Sequence, residues 1–233
     1  MKTNNIYNII GDIHGRTCWK NLVREDGVNI FVGDYFDPYG YVPQVERMTN
    51  FQDILEFKRQ HPETVLLYGN HDLHYLIDGE RYSRYQPEFA ADYRIAFRQS
   101  ESLFHGIAFA IADKALVTHA GVTKDWYEKY FGPYRTESLE TIAENINELW
   151  WRNKRAFTFD ANATEWLDCY GTSPTHSPVW IRPEILVKHD LFAGTDIKQI
   201  VGHSQTGAGV MSDHNVINVD CLGTKMKSYQ IEA

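Results

Sequence analysis

Ile6-Tyr7-Asn8-Ile9-Ile10-Gly11-Asp12-Ile13-His14-Gly15 decides the reading of this chain: an apolar run ends in glycine, then a carboxylate and an imidazole. The run predicts a buried strand. On an extended segment residues two apart point the same way, so Asp12 and His14 could bind one ion, although a solvated pair has the same spacing. The device recurs twice. Residues 28–32 form a second apolar run, closed by Gly33-Asp34-Tyr35-Phe36-Asp37, and residues 64–68 a third, closed by Gly69-Asn70-His71-Asp72. Between them, residues 17–25 read as a helix with Trp19, Leu22 and Val23 on one face. Residues 44–60 read as a stronger one, with Val45, Met48, Phe51, Ile54, Leu55 and Phe57 at helical spacing. Strand, polar turn, helix, strand is a βαβ rhythm and predicts the α/β class. In open α/β sheets, sites gather at the carboxyl ends of strands, where neighbouring loops converge.

Further along, 88–99 reads as a helix, and 107–112 with 115–118 as a hairpin turning at Asp113-Lys114. Residues 138–156 form an amphipathic helix: Leu139, Ile142, Ile146 and Leu149 on one face, a solvated row of Glu140, Glu144 and Glu148 on the other. Arg152, Lys154 and Arg155 at its end match the helix dipole, with phosphate gathering as the competing reading. Later strands are expected at 199–201, 216–219 and 228–231. Thr118-His119-Ala120-Gly121 and Val201-Gly202-His203-Ser204 place two more histidines just past apolar strands. Each cluster alone has a bland explanation. Five in this order read as a two-metal site. There is no internal repeat, low-complexity tract or linker, so residues 1–233 are expected to form a single domain.

Composition agrees. The 233 residues carry 23 Lys plus Arg against 31 Asp plus Glu, a net charge of −8, which argues against a nucleic-acid duplex as partner. A hydrophobic content of 43% can fill a core, yet no apolar run nears the ~18–20 residues of a membrane helix. The N-terminus lacks the cationic-then-apolar order of a signal peptide. Cys18, Cys169 and Cys221 are far apart and form no CxxC pair, so neither a disulfide framework nor a thiolate zinc site is expected, and a reducing cytoplasm fits. Ten histidines in so acidic a chain direct attention to transition metals.

The motifs GDIHG (11–15), GDYFD (33–37), GNHD (69–72), HAG (119–121) and GH (202–203) together resemble the calcineurin-like metallophosphoesterases. Within that superfamily the chain looks closest to the serine/threonine phosphoprotein phosphatases and their bacterial relatives. GNHDLHYL (69–76) and HAGVTKDW (119–126) are also similar to stretches of symmetrical diadenosine tetraphosphate hydrolases. The resemblance implies a four-layer αββα sandwich with mixed sheets and the site at one edge. Carried over, Asp12 and His14 would bind a first metal, Asp34 would bridge to a second, and Asn70, His119 and His203 would complete that second site. Mixed nitrogen and oxygen donors suit manganese, iron or zinc better than calcium or magnesium, with manganese favoured. Two such ions ~3.5–4 Å apart can hold a phosphoryl group and acidify a bridging water for in-line attack on phosphorus. His71, with Asp37 as its carboxylate partner, matches the histidine general acid near the leaving group. Asn70 and His71 would also touch the phosphoryl group.

Two details refine the match. Nuclease-like members end in GHxH, whereas here Gly202-His203-Ser204-Gln205 lacks the second histidine, as in the phosphoprotein phosphatase branch. Asp37 points the same way. Against it, those phosphatases follow this motif with Arg-Gly, and here Pro38-Tyr39-Gly40 follows, so one phosphate-clamping arginine is missing and protein substrates are less well supported. Arg182, in Val179-Trp180-Ile181-Arg182, matches the Trp-x-Arg segment of bacterial relatives and is the candidate for the remaining clamp; its competing reading is a surface arginine before a proline-started helix. Arg152 is a weaker candidate.

The expectation is therefore a cytoplasmic phosphatase acting on a phosphorylated substrate, a phosphomonoester in a protein or small molecule. The alternatives are a symmetrical dinucleoside tetraphosphate hydrolase and, from another class, an inactive metal-binding scaffold. Several residues remain outside these roles. His74 could hydrogen-bond a ligand, His61 reads as a surface residue at a helix end, and His105, His176, His189 and His214 as solvated. Tyr35, Tyr39 and Tyr41, or Tyr82 and Tyr85 beside Arg81 and Arg84, could line a cleft or simply pack. Residues 75–104 could cover the site as a lid.

Overall fold

The computed structural model describes residues 5–159 and 171–233. The chain begins with β1 (Ile6–Ile10), β2 (Val28–Phe31), α1 (Gln44–Gln60), β3 (Val65–Leu66), α2 (Asn70–Leu76) and α3 (Ala90–Ser100). A hairpin of β4 (Ala108–Ile111) and β5 (Ala115–Thr118) leads into α4 (Lys124–Phe131) and α5 (Leu139–Arg152). After α6 (Pro183–Lys188) come β6 (Lys198–Val201), β7 (Met211–Asp213), β8 (Val216–Asn218) and β9 (Tyr229–Glu232).

Two mixed sheets result. The first runs β3-β2-β1-β9, with β1, β2 and β3 parallel and β9 antiparallel to β1. The second runs β4-β5-β6-β8-β7, parallel at its centre and antiparallel at both edges. Strand alternation makes the layers, because successive side chains face opposite sides of a sheet. Ile9, Ile30 and Val65 of one sheet and Val117, Ile200 and Ile217 of the other form a single buried cluster between the sheets. Their neighbours Ile10, Phe31, Leu66 and Leu116 face outward, into a cluster with Phe51 and Ile54 of α1, Phe97 of α3 and Trp150 of α5. A smaller cluster seats Leu186 of α6 against Val201 and Val216. The arrangement is the four-layer αββα sandwich, and among the described residues no helix is long and apolar enough to cross a membrane.

The expected helix at 17–25 is not one. Only a short 3-10 turn forms at Cys18–Asn21. The side-chain amide of Asn29 accepts from the Arg24 N–H (2.9 Å) and donates to the Arg24 carbonyl (2.7 Å), which turns the chain into β2 before a helix can continue. Helix α1 has the expected bounds, but Val45 points to solvent, 69% exposed, so it is not part of the buried face. Helix α5 stops at Arg152 and a separate 3-10 turn follows over Lys154–Phe157; its start is capped by Ser138 Oγ, which accepts from Thr141 N–H. Glu140, Glu144 and Glu148 are exposed, as expected of a solvated row. Cys18 and Cys221 are free thiols, and Cys169 lies outside the described residues.

Candidate active site

The loops leaving β1 and β2 lie side by side because their backbones hydrogen-bond: His14 N–H donates to Asp34 O (2.6 Å) and Gly15 N–H to Tyr35 O (3.0 Å). Asp72 ties in the third loop. Its carboxylate accepts from the backbone N–H groups of Asp34 (2.9 Å), Tyr35 (3.0 Å) and Gly69 (2.8 Å). Burial, the larger influence, pushes this carboxyl up to about 7 in the metal-free protein, and the three donors oppose that rise. The second sheet is joined by His203, whose N–H donates to both oxygens of Asp12 at 3.1 Å. Glycine is required at the closest approaches. At Gly33 the backbone is left-handed (φ 111°) and a Cβ would collide with the Gly69 nitrogen, while at Gly202 it would collide with the Asp12 carboxylate.

Asp12, His14, Asp34, Asn70, His119 and His203, drawn from positions 191 residues apart, thus meet at the strand ends. His14 Nε2 is 3.4 Å from Asp34 Oδ2 and 3.9 Å from Asp12 Oδ2. His119 Nε2 is 3.6 Å from the same Asp34 oxygen and 2.9 Å from Asn70 Oδ1, and His203 Nδ1 is 3.0 Å from that amide oxygen. The other nitrogens of the first two rings are spoken for. His14 Nδ1 donates to Phe36 O (3.0 Å) and His119 Nδ1 to Val32 O (2.9 Å), so each Nε2 turns a lone pair on the carboxylates. Facing lone pairs in a buried cluster repel unless a cation lies between them, so the donor set fits transition-metal ions. Asp12, Asp34 and His119 alone offer three ligand atoms within 4.8 Å of one another.

The pairing of Asp12 with His14 does not come from extended backbone. His14 is left-handed (φ 44°), as are Asp34 (57°), Asp37 (57°), Arg84 (63°) and His203 (67°). Backbone in this region costs a non-glycine residue on the order of 1–3 kcal/mol, and these five collect around one site, while Ala112 and His214 adopt it between strands elsewhere. Burial raises the carboxyls of Asp12 and Asp34 well above the usual range, helped by the neighbouring carboxylates Asp220 and Asp72 respectively. Burial likewise lowers the imidazoles of His14 and His203, and takes His119 down to about 3. An ordinary Asp, near 3.8 in the unfolded chain, ionises before these buried ones do. These two carboxyls therefore contribute less stability to the metal-free protein as pH rises above that value, while the lowered imidazoles of His14, His119 and His203 act in the opposite sense below about 6.5. A cation that displaces the retained carboxyl protons restores the first loss. Manganese should accordingly stabilise the protein more at pH 7.5 than at pH 5, the free-energy gain growing by about 1.4 kcal/mol per pH unit for each carboxyl proton it displaces, with a larger rise in Tm at the higher pH. Thermal scans with and without the metal check this; equal gains would mean the ion binds elsewhere.

Beside this cluster, Asp37 is buried between two imidazoles. Its Oδ2 is 3.1 Å from His71 Nδ1 and 2.6 Å from His74 Nε2, and its Oδ1 accepts from Tyr75 OH at 2.5 Å. Burial drives the Asp37 carboxyl up, but the two imidazoles outweigh it and the net shift is downward. His74 Nδ1 accepts from the Tyr82 N–H (3.3 Å), which leaves Nε2 to donate, so His74 braces the carboxylate. His71 Nε2 faces a cavity of about 270 Å³ whose lining includes His14, Asp34, Asn70 and His203 together with Tyr39, Arg84, Trp180 and Arg182. Arg182 reaches Ser204 Oγ at 3.5 Å from the cavity wall, whereas Arg152 is exposed at the end of α5 and does not line it.

Of the tyrosines, Tyr39 and Tyr82 line the cavity, Tyr35 is buried with its hydroxyl on Leu67 O, and Tyr41 is 93% exposed. His176 is not solvated; it is fully buried and stacked on Phe159 at 4.5 Å. Asp220 escaped the sequence reading. It is buried beside Asp12 with neither carboxylate oxygen in a hydrogen bond of its own, and burial raises it to about 6 against the pull of Arg16. It too follows an apolar strand, the same signal that marks the other carboxylates.

Two facing mixed sheets with buried carboxylates and imidazoles at their strand ends define a metal-dependent hydrolase. The calcineurin-like phosphoesterase model matches residues 8–207, and the chain belongs to that family of metal-dependent phosphoesterases. Among solved structures, a protein serine/threonine phosphatase from Saccharomyces cerevisiae with similarity to human phosphatase PP5 is 18% identical, with a TM-score of 0.51 over 94% of this chain and 67% of that one. At that identity the likeness speaks for the fold. A metallophosphoesterase from Sphaerobacter thermophilus matches at 18% identity and a TM-score of 0.32, over 57% of this chain and 58% of that one. No curated protein matches the sequence significantly.

Proposed function

We propose that the chain is a single metallophosphoesterase domain that hydrolyses phosphomonoesters at a dinuclear metal site. One observation carries the reading: six donor side chains converge with lone pairs aimed inward, next to an imidazole held on a carboxylate at the cavity wall. Asp12 and His14 would hold one ion, Asn70, His119 and His203 the other, and Asp34 would join both. Manganese suits these donors, with iron or zinc as alternatives. When bound, such ions neutralise phosphoryl charge and supply an activated water for in-line attack.

The remaining work falls to the chain. Asn70, at the start of α2, orients the phosphoryl group, and Arg182, on the same cavity, answers its oxygens. His71, when protonated on both nitrogens, gives the Nε2 proton to the departing oxygen, and Asp37, which accepts from Nδ1, holds the ring in place and balances the imidazolium charge. Trp180, Tyr39 and Tyr82 line the cavity with aromatic surface. The same aromatic lining could stack nucleobases, which favours a symmetrical dinucleoside tetraphosphate hydrolase as the second reading. A cytoplasmic setting is consistent with the free thiols of Cys18 and Cys221.

A substrate panel on manganese-reconstituted protein separates these readings: an aryl phosphate, phosphopeptides, nucleotides and dinucleoside polyphosphates. We expect turnover of the aryl phosphate that chelation abolishes. Strong preference for diadenosine tetraphosphate would select the second reading, and no turnover of any ester by fully loaded protein would refute both.

A further inference from the structure

Arg84 belongs to none of the metal-binding motifs and enters the sequence reading only as a neighbour of Tyr82 and Tyr85. It lies on the segment between α2 and α3, outside any helix or strand, with left-handed backbone (φ 63°). Its guanidinium carbon is 3.7 Å from the centre of the Tyr39 ring, and Nη2 donates to His71 Nε2 at 2.8 Å. Nη1 is buried with no hydrogen-bond partner. The group reaches the same cavity as Asn70, His71 and Arg182. Meanwhile the loop that carries Asp37 continues Pro38-Tyr39 and supplies no cation of its own. What that loop supplies is the ring on which Arg84 lies.

We propose that Arg84 binds the phosphoryl group of the substrate, facing Arg182, so that a segment outside the metal-binding loops provides the second guanidinium. The inference rests on the phosphatase reading. A guanidinium keeps its charge at any working pH and can answer two phosphoryl oxygens with parallel N–H bonds. Stacking on Tyr39 and a strained backbone fix its direction before any ligand arrives, and the buried Nη1–H that meets no acceptor leaves the guanidinium with a donor to spare. Its two arrangements follow from hydrogen-bond strength. Without phosphate, Nη2 rests on a neutral imidazole nitrogen; with phosphate, an anionic oxygen is the better acceptor. The transfer of Nη2 frees His71 Nε2 to carry the proton that it gives to the departing oxygen. Arg84 thus binds the anion and positions the acid's nitrogen in one movement.

The test compares wild type, R84A and R84K, all manganese-loaded, for affinity toward inorganic orthophosphate by calorimetry and by competitive inhibition of aryl phosphate turnover. Metal content is measured in parallel. R84A should weaken orthophosphate about ten- to a hundredfold, the effect of one or two charge-assisted hydrogen bonds, with metal content unchanged. R84K should fall between, and added guanidinium ion should restore part of the affinity of R84A, which a purely packing role would not permit. Wild-type phosphate affinity in R84A overturns the assignment while leaving the phosphatase reading in place. Should wild type itself neither bind orthophosphate nor turn over an ester, that reading fails and this one with it. If R84A does not fold, unchanged orthophosphate affinity in R84K overturns the assignment in its place.

Discussion

Asp34→Asn is expected to abolish turnover and to lower the content of both metals together. One oxygen of Asp34 lies 3.4 Å from His14 Nε2 and 3.6 Å from His119 Nε2, so a single charge serves both halves of the cluster. The substitution keeps the shape and leaves Oδ1 able to accept the His71 N–H, now at 2.8 Å, which separates loss of charge from loss of structure. Loss of a partner outside the direct ligands costs roughly 10–100-fold in metal affinity, and loss of the shared charge should exceed that. Metal analysis with aryl phosphate kinetics provides the check. Activity near wild type would show that the carboxylate is not shared.

His71→Asn should instead leave metal content unchanged and lower kcat by about 10²–10⁴, the range for a lost general acid. The ring contacts Asp37 and Arg84, and its side chain makes no close approach to Asp12 or Asp34 comparable to those of His14 and His119. The deficit should shrink for esters whose leaving group needs no proton, such as an electron-poor aryl phosphate. A fall in bound metal would move His71 into the ligand set.

Much of this was legible beforehand because strand ends are marked twice, by the apolar run and by the glycine that lets loops touch. That signal located Asp12, Asp34, Asn70, His119 and His203, and α1 showed its full length through helical spacing. It failed where hydrogen bonds that no apolar spacing reveals overrule the local pattern. Asn29 ends the turn at 18–21 by capturing the backbone of Arg24, and helix α2 is hidden inside a motif that reads as a ligand loop. Arg84 was legible only as a neighbour of Tyr82 in a possible cleft lining, since its contacts are with Tyr39 and His71, both contributed by other segments. His176 looked like a surface histidine because burial against Phe159 leaves no spacing to read.

The two imidazoles that turn Nε2 toward Asp34 are hung from one stretch of main chain. Val32 O receives His119 and Phe36 O receives His14, four residues apart on the segment that also carries Asp34 and ends at Asp37. Peptide units are rigid, so this stretch acts as a gauge whose length side-chain substitutions other than at Gly33 leave nearly unchanged. Exchanging ligands alters what the site prefers to hold, whereas inserting or deleting one residue between 32 and 36 would reset the gap between its halves. Variants sought for a different ion radius should therefore be looked for among changes in loop length.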